Sequence, residues 1–336
     1  MIFTLCYMLY QTITEKTFSI VSNPDRRDTV LITGASKGIG KEIAKLFVRD
    51  GVNLIMVARD LQDMEDAKQQ FLKINSKVQI YCIQADFGTD DDAPQNVFDQ
   101  VTNGDTYKHL RLKYLVNNAG VCLRGQFLEI PLDRQLAMVN LLTISYTKMC
   151  YLFGNYFGKL IDDKKNNDQQ EEIYRILNTA SIGGVLISPL MATYSAAKHY
   201  THAFSMAFGE EALCRYDGRL TVTSLCPGFT DSDAIPKAGL EKTNAFAMGM
   251  NDKTERVGQV AYKAMMKGWR YAIVGWGNNI MVWLQRAILP FKWSFKFLEF
   301  GNSDTDAMLE NPEMMLKRGY VTKHANENEH VNIKKQ

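Results

Sequence analysis

The sequence predicts one α/β domain: a doubly wound parallel sheet of about seven strands with helices on both faces. Three observations predict it. Apolar runs of strand length recur along the chain, stretches of helical periodicity separate them, and the first run ends in a glycine-rich turn that opens a helix. Buried parallel strands read as continuous apolar runs, and each needs a crossover of ten or more residues to reach the next. Apolar residues are 46% and charged residues 23% of the 336, a balance that allows a sizeable core.

The elements follow in order. Thr29-Val30-Leu31-Ile32 is the first strand, and Ile39, Ile43, Ala44 and Phe47 recur at helical spacing after it, with Gly51 as the stop. Val52 to Val57 is the second strand, the polar stretch 60–73 a helix, and Val78 to Ile83 the third strand. Tyr114-Leu115-Val116 is the fourth, and a long helix is expected over about 132–158. Ile173 to Asn178 is the fifth strand, a helix around Tyr194 ends near Cys214, and Leu220 to Leu225 is the sixth. Val257, Val260, Ala261, Ala264 and Met265 are spaced as the buried face of another helix, and Ala272-Ile273-Val274 is the seventh strand.

Three parts lie outside this rhythm. Residues 1–27 form an N-terminal arm whose apolar run, 2–10, is too short to span a bilayer and lacks a basic flank, so it makes a poor signal peptide. Residues 162–172 are wholly polar but for Ile161 before them and Ile173 after, a composition expected to stay solvated. Residues 276–336 form a C-terminal extension with an amphipathic part and a polar tail. The domain between, 28–275, carries the function.

The net charge of +2 gives no basic face for nucleic acid. The six cysteines form no C-x-x-C pair and no zinc spacing, so they are expected to be thiols in a reducing, cytoplasmic setting, with no metal site.

The first motif is Thr33-Gly34-Ala35-Ser36-Lys37-Gly38-Ile39-Gly40, between a strand and a helix. Glycines there let the backbone turn sharply and let a pyrophosphate approach, and the helix N-terminus beyond offers N–H groups to it. The spacing T-G-x-x-x-G-x-G resembles that of the short-chain dehydrogenase/reductase family, with its Rossmann-like domain, and the resemblance covers about 28–274. It implies that Gly34, Ser36, Lys37, Gly38, Ile39 and Gly40 bind a nicotinamide dinucleotide.

The end of the second strand selects the cofactor. An acidic residue there would bind the ribose hydroxyls of NAD. The slot holds Ala58, and Arg59 follows. Arg59 and Lys37 favour a 2′-phosphate, hence NADP(H), although Asp60 stands one place further on. The resemblance further implies that Asp86 bonds the adenine and that Asn117-Asn118-Ala119-Gly120 lines the cofactor groove through Asn118, Ala119 and Gly120. It also implies that Pro227, Gly228 and Thr230 border the nicotinamide, with Ser232 competing for the carboxamide.

Tyr194-Ser195-Ala196-Ala197-Lys198 places a phenol and an ammonium on one helix face. A lysine cation so placed is expected to lower the phenol's pKa and make it a better acid. Ser181 precedes Tyr194 by thirteen residues (194 − 181), the family's spacing. The resemblance implies that Ser181 positions a carbonyl oxygen, that Tyr194 protonates it, that Lys198 also holds the nicotinamide ribose, and that Asn140 holds a water linking the lysine to solvent. A polar residue in so apolar a helix stretch needs a partner in any case.

Residues 230–254 include Ile235, Leu240, Phe246, Met248 and Met250, which read either as a lid over a lipophilic substrate or as packing on the core. Between 279 and 300 lie Trp283, Phe291, Trp293, Phe295, Phe297 and Phe300 among Arg286, Lys292 and Lys296. That stretch suits an intracellular membrane interface such as the endoplasmic reticulum, the domain itself, or the second subunit of a dimer. The expected activity is interconversion of an apolar ketone and its secondary alcohol, as in the hydroxysteroid dehydrogenase, 3-ketoacyl reductase and ketosphinganine reductase branch. The alternative is an NADP(H)-binding scaffold or sensor without turnover.

Overall fold

The computed structural model describes residues 28–166, 172–232, 239–244, 251–287 and 298–303. The arm before Asp28, most of the apolar residues of 230–254, and the aromatic residues between 288 and 297 therefore lie outside the described residues.

Seven strands form the main sheet: β1 (Asp28–Thr33), β2 (Asn53–Ala58), β3 (Ile80–Gln84), β4 (Arg111–Asn117), β5 (Tyr174–Thr179), β6 (Leu220–Cys226) and β9 (Tyr271–Ile273). Their order is β3-β2-β1-β4-β5-β6-β9, and every pair is parallel. The winding reverses between β1 and β4. The carboxyl ends of these two strands therefore open a crevice between diverging crossovers, where ligands of such sheets bind. A separate parallel pair, β7 (Phe229–Asp231) and β8 (Asn251–Lys253), flanks it.

Strand side chains alternate between the two faces. Val30, Ile32, Leu54, Met56, Tyr114 and Val116 point to one face, where they meet Ile43 and Phe47 of α1 (Gly38–Arg49) and Met64 and Phe71 of α2 (Leu61–Ile74). Val257, Ala261 and Met265 of α7 (Thr254–Lys267) complete this layer. Leu31, Ile55, Val57, Leu115 and Ile176 point to the other face. There they meet Val97 of α3 (Ala93–Asn103) and Met149, Phe153 and Phe157 of α5 (Ser145–Asn166). Phe204 and Ala212 of α6 (Ala192–Arg215) pack there too. Phe157 stacks on Tyr174 of β5 with ring centroids 5.1 Å apart, and emptying such a site costs about 3–5 kcal/mol.

Two expectations are corrected. The long helix is not uniform: α4 (Leu132–Val139) passes through a π-helical turn, Asn140–Ile144, into α5. Nor is the polar run solvated throughout. Helix α5 extends through it to Asn166, and Glu172 is buried between the cations of Arg111 and Lys164. Composition alone hides this, since the compensating charges come from β4 and from α5 itself. The continuous helix Leu132–Lys164 is long and apolar enough to cross a membrane, yet Phe153, Phe157 and Ile161 bury its inner face against the sheet.

The C-terminal extension packs on the domain where it is described. In α8 (Trp276–Ala287), Val282 joins Ala180, Ile182, Val185, Leu186 and Cys226 in a small cluster, and Leu298 packs against the same group.

Candidate active site

The crevice begins at the turn after β1. Gly34 has φ +67°, a conformation that suits glycine. A methyl on Gly40 would sit 2.2 Å from the Gly34 carbonyl and 2.4 Å from Nδ2 of Asn118, so the helix approaches the turn as closely as only glycine allows. The first residue flanking α1, Lys37, makes no side-chain cap. The helix N-terminus thus keeps its N–H groups for an anion, and the cradle fits a dinucleotide pyrophosphate.

Beside this cradle, Arg59 is exposed at the end of β2. Asp60, the potential competitor, is committed elsewhere: its Oδ1 accepts from the Asp63 N–H at 3.0 Å and caps α2. Lys37 is less available than its position in the sequence suggests, because its Nζ pairs with Asp63 at 2.5 Å. Asp86 accepts from the Gly88 N–H at 2.9 Å, a turn-forming bond that occupies one carboxylate oxygen.

The Asn117–Gly120 segment is tied to the glycine turn through Thr33. The Thr33 Oγ1 accepts from the N–H groups of Asn118 and Ala119, both at 2.9 Å. Asn118 Nδ2 donates to the carbonyls of Thr33 and Gly34 at 3.2 Å. Asn117 lies deeper, donating to Asn178 at 2.9 Å, which in turn donates to Ser205 on α6. Buried amides paired in this way hold β4, β5 and α6 in one register.

Ser181 and Tyr194 meet across Gly183. A methyl on Gly183 would stand 3.5 Å from Ser181 Oγ and 3.6 Å from Cε1 of Tyr194. Two residues make this possible. Gly184 lets the turn after β5 press on α6, since a methyl there would sit 2.4 Å from the Lys198 carbonyl. Ser195 donates to the Gly183 carbonyl at 2.7 Å and to that of Leu186 at 3.2 Å. Ser195 thus ties the turn carrying Ser181 to the helix carrying Tyr194. Within the Y-x-x-x-K pattern it reads as filler, so its role is invisible in the sequence.

One helical turn on, Lys198 is buried and donates to the Thr179 carbonyl at 2.6 Å. Burial holds its pKa down, to about 8, against the smaller opposing pull of Cys122 and Cys226. The Tyr194 phenol is pushed up, by burial first and by Cys122 second, while its hydrogen bond with Ser181 pulls it down. This corrects the expectation that Lys198 lowers the phenol. The ammonium is turned onto Thr179, 5.9 Å from the ring centroid, and Ser181 supplies the lowering contact.

A sequence profile of the short chain dehydrogenase family matches residues 28–243. The chain belongs to the short-chain dehydrogenase family. It is accordingly an oxidoreductase whose domain takes a nicotinamide cofactor. Among curated relatives, it is 27% identical to a very-long-chain 3-oxoacyl-CoA reductase of Yarrowia lipolytica, covering 73% of this chain and 63% of that protein. It is 25% identical to very-long-chain 3-oxoacyl-CoA reductase-A of Danio rerio, covering 82% of each. It is 27% identical to the Rattus norvegicus very-long-chain 3-oxoacyl-CoA reductase, covering 66% of each. The chain thus spans slightly less than two thirds of two of these relatives. A short-chain dehydrogenase from Sphingobium yanoikuyae in complex with NADPH superposes with a TM-score of 0.63 at 20% identity, over 78% of this chain and 98% of that one. A 7beta-hydroxysteroid dehydrogenase superposes with a TM-score of 0.66 at 18% identity, over 81% and 96%.

Other expected residues of this short-chain dehydrogenase fall around the same crevice with altered duties. Asn140 opens the π-helical turn. Its Nδ2 donates to Asp91 at 2.9 Å and to the carbonyls of Gly88 and Phe87 at 3.3 and 3.4 Å. The partner its position demanded is therefore the loop carrying Asp86. Pro227 accepts from the Ile182 N–H at 2.7 Å, coupling the turns after β5 and β6. Thr230 is buried and donates to the Gly228 carbonyl at 3.1 Å. Ser232 lies beside the glycine turn, its Cβ 3.5 Å from where a methyl on Gly38 would be. Met191 and Leu240 pack with Cys122, Phe229 and the Tyr194 ring, an apolar wall next to the phenol.

Proposed function

We propose that this chain is an NADPH-dependent reductase of a lipophilic ketone, with a long-chain 3-oxoacyl thioester as its substrate class. The observation that carries this reading is the meeting of Ser181 and Tyr194 across Gly183 beside an apolar wall. The names borne by the curated relatives support the acyl class. The exposed Arg59 at an otherwise unacidic strand end, with Asp60 withdrawn as a cap, supports the 2′-phosphate.

In this reading Gly34, Ser36, Gly38, Ile39 and Gly40 would hold the pyrophosphate, and Arg59, with Lys37 in support, would hold the 2′-phosphate. Asp86, Asn118, Ala119 and Gly120 would line the adenosine and ribose, and Pro227, Gly228 and Thr230 would border the nicotinamide. When bound, the cofactor supplies a hydride to the carbonyl carbon. Ser181 donates a hydrogen bond to the carbonyl oxygen and stabilises the charge growing there. Tyr194 gives its phenolic proton to that oxygen. Burial raises its pKa, and the hydrogen bond with Ser181 works against that rise and eases loss of the proton. Lys198, a cation below about pH 8, leaves Thr179 to hold the ribose hydroxyls and offset the phenolate. Asn140 keeps a water path to Lys198. The π-helical widening at that residue supports this, since such turns accompany functional sites.

The exposed Trp276 and Ile280 on α8 support a shallow contact of the extension with an intracellular membrane, which sedimentation with phosphatidylcholine vesicles measures. The exposed Ile144, Tyr151 and Tyr200 on neighbouring helices support a dimer, which the solution mass measures.

The deciding experiment follows NADPH oxidation with 3-oxopalmitoyl-CoA. Tyr194→Phe should cut kcat by about a thousandfold with NADPH binding retained. Turnover surviving in that variant would remove Tyr194 as the acid. A wild-type protein that binds NADPH yet reduces no ketone would be a scaffold or sensor instead.

A further inference from the structure

Arg124 follows the Asn117–Gly120 segment by a few residues and reaches two distant parts of the chain. Its Nη2 donates to the Gly239 carbonyl at 3.1 Å and its Nη1 to the Asn302 carbonyl at 2.9 Å. These belong to two short segments, 239–244 and 298–303, which also hold each other. The Asn244 N–H donates to the Ser303 carbonyl at 3.1 Å, and Asn244 Nδ2 to that of Phe300 at 2.9 Å. Asn302 closes the circuit by donating to the Pro189 carbonyl at 3.1 Å, in the turn that leads to Tyr194.

The circuit is built into the interior. Leu240, Thr243, Asn244, Asn302 and Ser303 are all buried. Its inner side is apolar and faces the site: Leu240 packs with Tyr194, Met191 and Cys122, and Leu298 packs on the cluster of Ile182, Val185 and Leu186 that follows Ser181. The C-terminal extension therefore does not line the phenol itself but holds the segment that carries Leu240, which does.

The geometry points to Arg124 as a positioning residue for the substrate. One guanidinium latches the 239–244 segment and the C-terminal 298–303 segment together, and so holds the wall against which an acyl chain lies. Arginine suits the task because its planar fork presents several donors at set angles, and main-chain carbonyls hydrogen-bonded to a charged group are held more firmly than by neutral donors. Lysine in its place offers a single ammonium on a flexible stem. The inference rests on the acyl-ketone reading above, because only a substrate with a long apolar chain would feel that wall.

The test compares full-length wild type, Arg124→Ala and Arg124→Lys with NADPH and two ketones, acetoacetyl-CoA and 3-oxopalmitoyl-CoA. In Arg124→Ala the rise in KM should be about tenfold larger for 3-oxopalmitoyl-CoA than for acetoacetyl-CoA, and Arg124→Lys should fall between. Amide hydrogen exchange, which needs no turnover, should speed up in 239–244 and 298–303 together in the Ala variant, with the β-sheet unchanged and partial recovery in the Lys variant. Equal KM changes for the two ketones would overturn the role in substrate positioning. Unchanged exchange in either segment would overturn the latch. Failure of the wild type on both ketones would count against the proposed activity alone, leaving the exchange comparison to decide the latch.

Discussion

The Lys198 ammonium donates to the Thr179 carbonyl at 2.6 Å, so a buried cation beside Tyr194 is held by a neutral main-chain group. Burial keeps its pKa at about 8 against an ordinary 10.5. That difference corresponds to roughly 3 kcal/mol that the fold spends on keeping the charge inside at neutral pH. Because the folded value lies below the unfolded one, the unfolded chain binds more protons between about pH 8 and 10.5, and stability from this group rises across that window. Lys198→Met should therefore melt higher than wild type at pH 7, with the gap closing toward pH 10, and should reduce no ketone. Thermal melts at the two pH values check this. A variant that melts lower at both would mean that the bond to Thr179 outweighs burial.

The close approach of Gly40 to the turn after β1 sets a second expectation. A methyl there meets main-chain oxygen at 2.2 Å, a group that cannot swing aside as a side chain can. Gly40→Ala should separate α1 from the turn, costing about 1–3 kcal/mol of stability. NADPH affinity should fall by more than tenfold, because the helix N-terminus moves off the pyrophosphate position. Calorimetric titration of NADPH, alongside a urea melt, separates the two effects. Unchanged affinity would show that the cradle is not at this turn.

The sheet and the Ser181, Tyr194 and Lys198 set were legible because they are written in short-range periods. Strand runs, the turn glycines and a phenol–lysine pair four residues apart need no knowledge of distant chain. What was illegible depends on partners far away in sequence. Arg124 reaches Asn302 across 178 residues, and Arg111 reaches Glu172 across 61. Ser195 acts on a turn twelve residues upstream that only folding brings to it. The π-helical turn at Asn140 leaves no signature, since it changes hydrogen-bond partners without changing the apolar spacing. The phenol's pKa was misjudged for a related reason: the pattern puts Lys198 on the right face, while burial and the Thr179 carbonyl decide what its charge does.

At the amino end of the sheet, Arg111 bridges Asp28 of β1 and Glu172 ahead of β5, with Lys113 3.6 Å from Asp28 and Lys164 on Glu172. Burial alone would raise the Glu172 carboxyl. The hydrogen bond from Lys164 and the charges of Arg111 and Lys113 outweigh it and hold the pKa below its usual value. That stability is present above the ordinary carboxylate range and is lost as pH falls through the lowered value. Arg111→Ala should cost about 3 kcal/mol at pH 7, by leaving buried carboxylates short of a partner. The difference from wild type should shrink under acid, where Glu172 takes a proton. Urea midpoints at neutral and acidic pH measure it, and a pH-independent difference would assign the loss to packing of the arginine stem.

Arg59 and Lys37 differ in how free they are to meet a phosphate, and that difference is testable. Lys37 is already paired with Asp63 at 2.5 Å, so a 2′-phosphate must compete with a carboxylate for it. Arg59 is exposed at the end of β2, and the neighbouring Asp60 is occupied as the cap of α2. The guanidinium can therefore close on phosphate oxygens with two parallel bonds. Arg59→Ala should raise the KM for NADPH by about ten- to a hundredfold, with the KM for NADH within about twofold. Lys37→Ala should change the NADPH value less. Steady-state kinetics with both cofactors read both variants. Equal losses for NADPH and NADH in Arg59→Ala would mean that the arginine supports the adenosine pocket in general, and would overturn its proposed role in selecting NADPH.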